Sequence, residues 1–211
     1  MKRIILFFFT VGISILNAGG FDSSKLFFGL GIGNTQTTTS AEGYVEARGK
    51  TLNIPKESVE ENGGSQEFYI GYQLIENIDI GLTYGHINTD ENNQYEVGYY
   101  LLFADYNFPV SEKLYLFGGA GIGQGFMDFS YNESGISINI DTRDIALGLR
   151  TGFGYKVNDS FAWGLKYQYV NIKLEGEDDI TGQVNGYDYK LNMKASHEDF
   201  STITIFFNVY L

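Results

Sequence analysis

The sequence contains no cysteine and only two prolines. Without cysteine there is no disulfide framework and no thiolate metal site, so packing and backbone pairing must hold the fold. Basic residues are also scarce, 14 against 26 acidic, for a formal charge of −12. Nucleic acid is therefore excluded as an expected partner, because binding it requires neutralising phosphates. Only two histidines are present, which leaves few side chains that titrate near neutrality for acid–base chemistry.

What is present is 27 glycines, 17 phenylalanines and 16 tyrosines. Rich in strand formers and poor in helix-start signals, this mixture indicates an all-β chain. Lys2 and Arg3 precede an apolar run from Ile4 to Leu16, too short to span a bilayer as a helix, and the small Ala18 follows. That is the layout of a secretory signal peptide over residues 1–18, with the mature chain beginning near Gly19. Removing Lys2 and Arg3 makes the exported form more acidic still. The remainder, 19–211, is of a length for one domain.

From Lys25 onward, eight stretches alternate apolar and small or polar residues with period two, the pattern of lipid-facing and lumen-facing positions in a membrane barrel. Leu26, Phe28, Leu30 and Ile32 oppose Gly29, Gly31 and Gly33 in the first. In the sixth, Ile145, Leu147 and Leu149 point to lipid while Arg150 points inward; in the seventh Trp163, Leu165 and Tyr167 point out, Lys166 and Gln168 in. The fourth stretch, Gln94 to Phe108, changes phase. With Tyr95, Val97, Tyr99 and Leu101 outward, its second half needs a β-bulge near Phe103 to turn Leu102, Ala104 and Tyr106 outward. In the fifth, Leu114, Leu116, Ala120 and Ile122 share one parity, whose facing the sequence leaves open.

Short turns near Glu76, Pro109 and Asn158 alternate with longer segments, Asn34 to Ser65, Asn88 to Asn93, Tyr131 to Asp141 and Glu175 to His197. This predicts a transmembrane, eight-stranded, antiparallel up-and-down β-barrel with long acidic loops outside the cell and both termini in the periplasm. A soluble barrel would bury its apolar parity, and the sparser parity here has too little bulk to fill a core. Tyr72, Tyr84, Tyr95, Tyr99, Trp163, Tyr167 and Tyr169 are the expected interfacial aromatics. Inside, Arg150 and Lys166 require carboxylates, giving a lumen network of Arg150, Lys166, Glu96, Asp79, Glu67 and Gln168, with Glu96 the expected partner of Arg150 and Asp79 the reserve. Eight strands enclose a space that side chains can fill, and inward Phe27, Tyr69, Tyr100, Phe117 and Phe206 are available for it.

DYNFP (Asp105 to Pro109), YLFGGAGIG (Tyr115 to Gly123) and the alternating C-terminal strand together resemble the outer-membrane β-barrel domain of OmpA-like and OmpX-like small barrels and related bacterial surface antigens. The resemblance spans the mature chain and implies fold and location far more than activity. No peptidoglycan-binding domain follows the barrel, so a tethering role does not carry over. The family's assembly signal usually ends in Phe; here Phe207, Val209 and Leu211 keep its spacing and imply recognition by the barrel assembly machinery.

Chemistry is not the expectation. His86 lacks a nearby Ser, and His197 has Ser196, Glu198 and Asp199 as neighbours that alternate faces along a strand, so both histidines read as solvated interfacial residues. Glu175, Glu177, Asp178 and Asp179 offer hard oxygen ligands but match no calcium-loop spacing. No cofactor, metal or catalytic site is expected. The sequence reads as a monomeric surface-interaction barrel embedded in outer-membrane lipid and lipopolysaccharide, with loops available to an extracellular ligand. The alternative is a small channel for ions or solutes; a lipid-modifying enzyme ranks below both.

Overall fold

The computed structural model describes residues 22–88, 95–133, 136–184 and 187–211. The expected signal peptide and the tip of the segment after Asn88 lie outside the described residues, as does the side chain of Tyr95. Eight strands, β1 (Leu26–Ala47), β2 (Lys50–Ile75), β3 (Ile78–Asn88), β4 (Tyr95–Pro109), β5 (Leu114–Glu133), β6 (Ile136–Asn158), β7 (Phe161–Val184) and β8 (Tyr187–Tyr210), follow a short 3-10 turn. Each pairs antiparallel with its chain neighbours, and β8 pairs with β1 to close the barrel. Closure is what makes the fold viable in lipid, where an unpaired strand edge would leave backbone groups without partners.

One parity faces outward. Phe28, Leu30 and Ile32 on β1, Ile145, Leu147 and Leu149 on β6, and Ile203, Ile205 and Phe207 on β8 are all exposed. On β6 this apolar band runs from Ile145 to Tyr155, the length of a tilted transmembrane strand. Outward aromatics accompany the band: Tyr72, Trp163, Tyr155 and Tyr106 towards the short-turn end, Tyr84 and Tyr169 towards the other, and Tyr167 within it opposite Thr151. Tyr84 packs against Tyr100 at 5.0 Å and Phe126 at 6.3 Å between ring centroids.

Two sequence expectations are corrected on β4. Val97, Tyr99, Leu101, Phe103 and Asp105 are all buried on the inner face, so Tyr99 is not interfacial, while Tyr100 lies on the outer face with Tyr84. The register with β3 and β5 also runs unbroken past Phe103, without the expected bulge. The upper half of β4 is apolar on its inner side because it packs into a lumen that is itself apolar there. On β5 the even parity, Leu116, Ala120 and Ile122, faces lipid and Phe117 faces in.

The segments read as loops are strands. Asn34 to Ser65 folds into the continuation of β1 and β2, and Glu175 to His197 into that of β7 and β8. The β1–β2 hairpin closes through Arg48 and Gly49 with φ of 54° and 69°, the left-handed pair that matches strand twist in a two-residue turn. Among the described residues β3 ends at Asn88 and β4 begins at Tyr95, whereas β1, β2, β7 and β8 are each 22 to 26 residues long.

Candidate functional site: the barrel lumen and the extended hairpins

The lumen is filled in three layers. At the short-turn end, Phe27 packs against Tyr69 and Tyr210, Phe117 against Phe206, and the Tyr69 hydroxyl donates to Asn208. Rings fit because glycines lie beneath them. A Cβ on Gly164, for example, would meet the Phe206 ring.

The middle layer is ionic. Lys166 on β7 donates to Glu67 on β2, with both side chains fully enclosed. Glu67 also accepts from the Tyr99 hydroxyl at 2.7 Å, which in turn accepts from Gln168 Nε2 at 2.7 Å. Nearby, Arg150 on β6 grips Asp105 on β4 with two nitrogens, Nε reaching Oδ1 at 2.7 Å, and donates to Thr83 at 3.2 Å. The Arg150 guanidinium lies 3.4 Å from the Phe103 ring centre. Bidentate, charge-assisted bonds of this kind hold a buried cation that would otherwise be far too costly.

Of the six residues expected in the lumen, Glu67, Lys166 and Gln168 form one connected group with Tyr99. Arg150 forms the second group, but its carboxylate is Asp105 rather than Glu96. Glu96 faces outward, about half exposed, beside His86 at 3.7 Å. Asp79 sits at the short-turn end and accepts from Asn107 at 2.7 Å. The reason is the phase of β4: reading its two halves in opposite phase put Glu96 inside, whereas a single phase puts Asp105 on the same face as Val97 and Phe103. The signal was available in DYNFP, whose aspartate alternates with outward Tyr106 and Ala104.

The third layer is an apolar plug. Ile87, Val97, Leu101, Met127, Ile172, Leu174 and their neighbours close the end of the lumen towards the long hairpins. Below it, among Asp79, Asp105, Tyr69, Tyr115, Arg150 and Lys166, a cavity of about 30 Å³ remains, space for about one water molecule.

Beyond the plug, β8 is bulged against both neighbours at Asp199, whose φ is 46°. Its carboxylate accepts from Tyr169, Asn171 and the Ile172 amide. The bulge inverts the facing of β8, so His197 points inward. It is fully buried rather than solvated as expected, packs at a tilt against Phe200 at 4.8 Å between ring centres and contacts the Thr37 hydroxyl at 2.5 Å. This site lies beyond the apolar band, and burial pushes the imidazole down to about 4. The acidic run of β7 divides between faces: Glu175 and Asp179 pair outward with Lys173, Lys194 and Lys190, while Asp178 accepts from the Asn139 amide. Among the described residues no group of three or more ligating side chains is placed to hold a metal ion.

Phe207, Val209 and Leu211 are exposed on the outer face at the end of β8.

None of the curated proteins matches the sequence. Among solved structures, the chain is similar to the outer membrane protein OprG from Pseudomonas aeruginosa, at 12% identity over 88% of this chain and 96% of that one, with a TM-score of 0.53. It is also similar to Neisserial surface protein A, at 16% identity over 84% and 97% with a TM-score of 0.48, and to the attachment invasion locus protein Ail of Yersinia pestis, at 17% identity over 82% and 97% with a TM-score of 0.36. At 12% identity the likeness to OprG speaks to fold alone. The model of the outer membrane protein beta-barrel domain matches residues 8–194, and this chain belongs to that family.

Proposed function

We propose that the protein is a surface-interaction barrel of the bacterial outer membrane, monomeric in lipid and lipopolysaccharide, that presents its long acidic hairpins outside the cell and keeps both termini in the periplasm. The observation that carries this reading is the contrast between the two halves of the molecule. The lumen is filled by two buried ion pairs, edge-on and tilted aromatic rings and an apolar plug, while β1, β2, β7 and β8 continue as paired strands well past the outer aromatics. Filling a lumen stabilises a scaffold and opposes conduction. Long structured extensions on a rigid base are where binding surfaces are built. Short turns at one end and long connections at the other support this orientation. Phe207, Val209 and Leu211 are the residues offered to the barrel assembly machinery.

Reconstitution in planar bilayers tests the reading. The folded protein is expected to be electrically silent; stable, reproducible conductance steps would give the function to a small channel instead.

A further inference from the structure

β2 runs well beyond the described end of β3. Its last pairing with β3 joins Gly64 to Asn88, yet β2 begins at Lys50, and among the described residues Lys50 to Asn62 pairs with β1 alone. Among the described residues no strand pairs with the other edge of this segment, and its side chains Leu52 and Val59 are exposed at 70% and 55%. Such an edge is a template for an added strand. Its two halves differ. Around Pro55 the register against β1 slips between Ala41 and Gly43, and a proline and a bulge are both devices that prevent strand addition. Glu57 to Asn62 has neither device, and only charge guards it.

The charges have one sign. Val59 lies opposite Thr39 and Glu61 opposite Thr37, whose side chain is buried on the lumen side, so Glu57, Val59 and Glu61 share the inner face and Glu60 lies on the outer one. A second copy is a poor occupant, because antiparallel self-pairing centred on Val59 sets Glu57 against Glu61 twice, and like charges directly opposite are destabilising. A strand with a cation, an apolar residue and a cation on alternate positions meets the inner face favourably, and a further cation meets Glu60.

We propose that the edge of β2 away from β1, over Glu57–Asn62, receives an extended, cationic segment of a partner protein as an additional strand. This rests on the surface-interaction reading and names the partner's chemistry.

The test uses the full folded chain in detergent micelles and a fluorescent nine-residue peptide, TVKKVTKVT, followed by anisotropy. Binding is expected, with a loss of at least tenfold for TVEEVTEVT and for the double variant Glu57→Lys, Glu61→Lys. Two further peptides carry N-methyl groups on alternate amides, one set for each edge of the strand. Strand addition requires that one set abolish binding and the other leave it nearly unchanged. Equal binding by both methylated peptides would reduce the interaction to charge attraction and overturn the proposal, as would no binding by the parent peptide. A stable dimer in sedimentation velocity that Glu57→Lys alters would assign the edge to a second copy, with the same result. Failure here leaves the silent-barrel reading intact, whereas conductance steps would remove that reading whatever the peptide does.

Discussion

Lys166 on β7 and Glu67 on β2 are 99 residues apart in sequence and meet inside the barrel in a fully buried ion pair. The pair is tied through Tyr99 to Gln168, so it links strands from opposite sides of the wall. Lys166→Met leaves Glu67 charged and enclosed, and is expected to destabilise the folded barrel by about 3 to 5 kcal/mol, the size typical of breaking a buried pair from one side. The double change Lys166→Met with Glu67→Gln removes both charges and should recover most of that loss. Urea unfolding midpoints in micelles measure it; a double variant no better than the single one would show that the charges are not coupled.

The second buried pair makes a sharper distinction between sequence and structure. Arg150→Ala and Asp105→Asn should each lower the unfolding midpoint strongly, and the double variant that combines them should lose less than their sum. Glu96→Ala, on the outer face, should fall within about 0.5 kcal/mol of the parent. A large effect at Glu96 would contradict the facing of β4.

On the lipid face, Leu147 lies within the exposed apolar run of β6. Leu147→Arg is expected to destabilise the inserted barrel by about 2 to 4 kcal/mol, while Thr38→Arg, on β1 beyond the apolar band and opposite Glu198, should be close to neutral. Unfolding from lipid vesicles reads both; equal effects would refute the band.

His197 gives a pH dependence with a definite sign. Its imidazole is held down to about 4 by burial, against about 6.5 in an unfolded chain. Above pH 6.5 both states are neutral and the residue contributes no pH dependence. As pH falls towards 4 the unfolded state binds a proton that the folded state refuses, so stability is lost progressively, by about 3 kcal/mol in all, and no further below pH 4. His197→Gln should remove this component, and the difference between the two unfolding curves over pH 4 to 7 isolates it from the carboxylates.

Period-two alternation determined, from sequence alone, the number of strands, the lipid face of β1, β6, β7 and β8, and the presence of enclosed cations, because a bilayer imposes one rule on every residue of one parity. Lys166, Glu67 and Gln168 were legible for the same reason. The rule fails where lipid is not the selecting environment. On β4 an apolar inner face mimics a lipid face, because Val97, Tyr99 and Leu101 pack into the plug from inside; only the tertiary arrangement assigns them and, with them, turns Glu96 outward, whereas the inward facing of Asp105 could be read from outward Ala104 and Tyr106. The long strands beyond the band carry threonine, glutamate and asparagine, which leave no hydrophobic period to read, and their pairing is decided by register propagating upward from the barrel. The inward turn of His197 depends on a bulge at Asp199 held by side chains from β7, a contact between distant parts of the chain that no local pattern encodes.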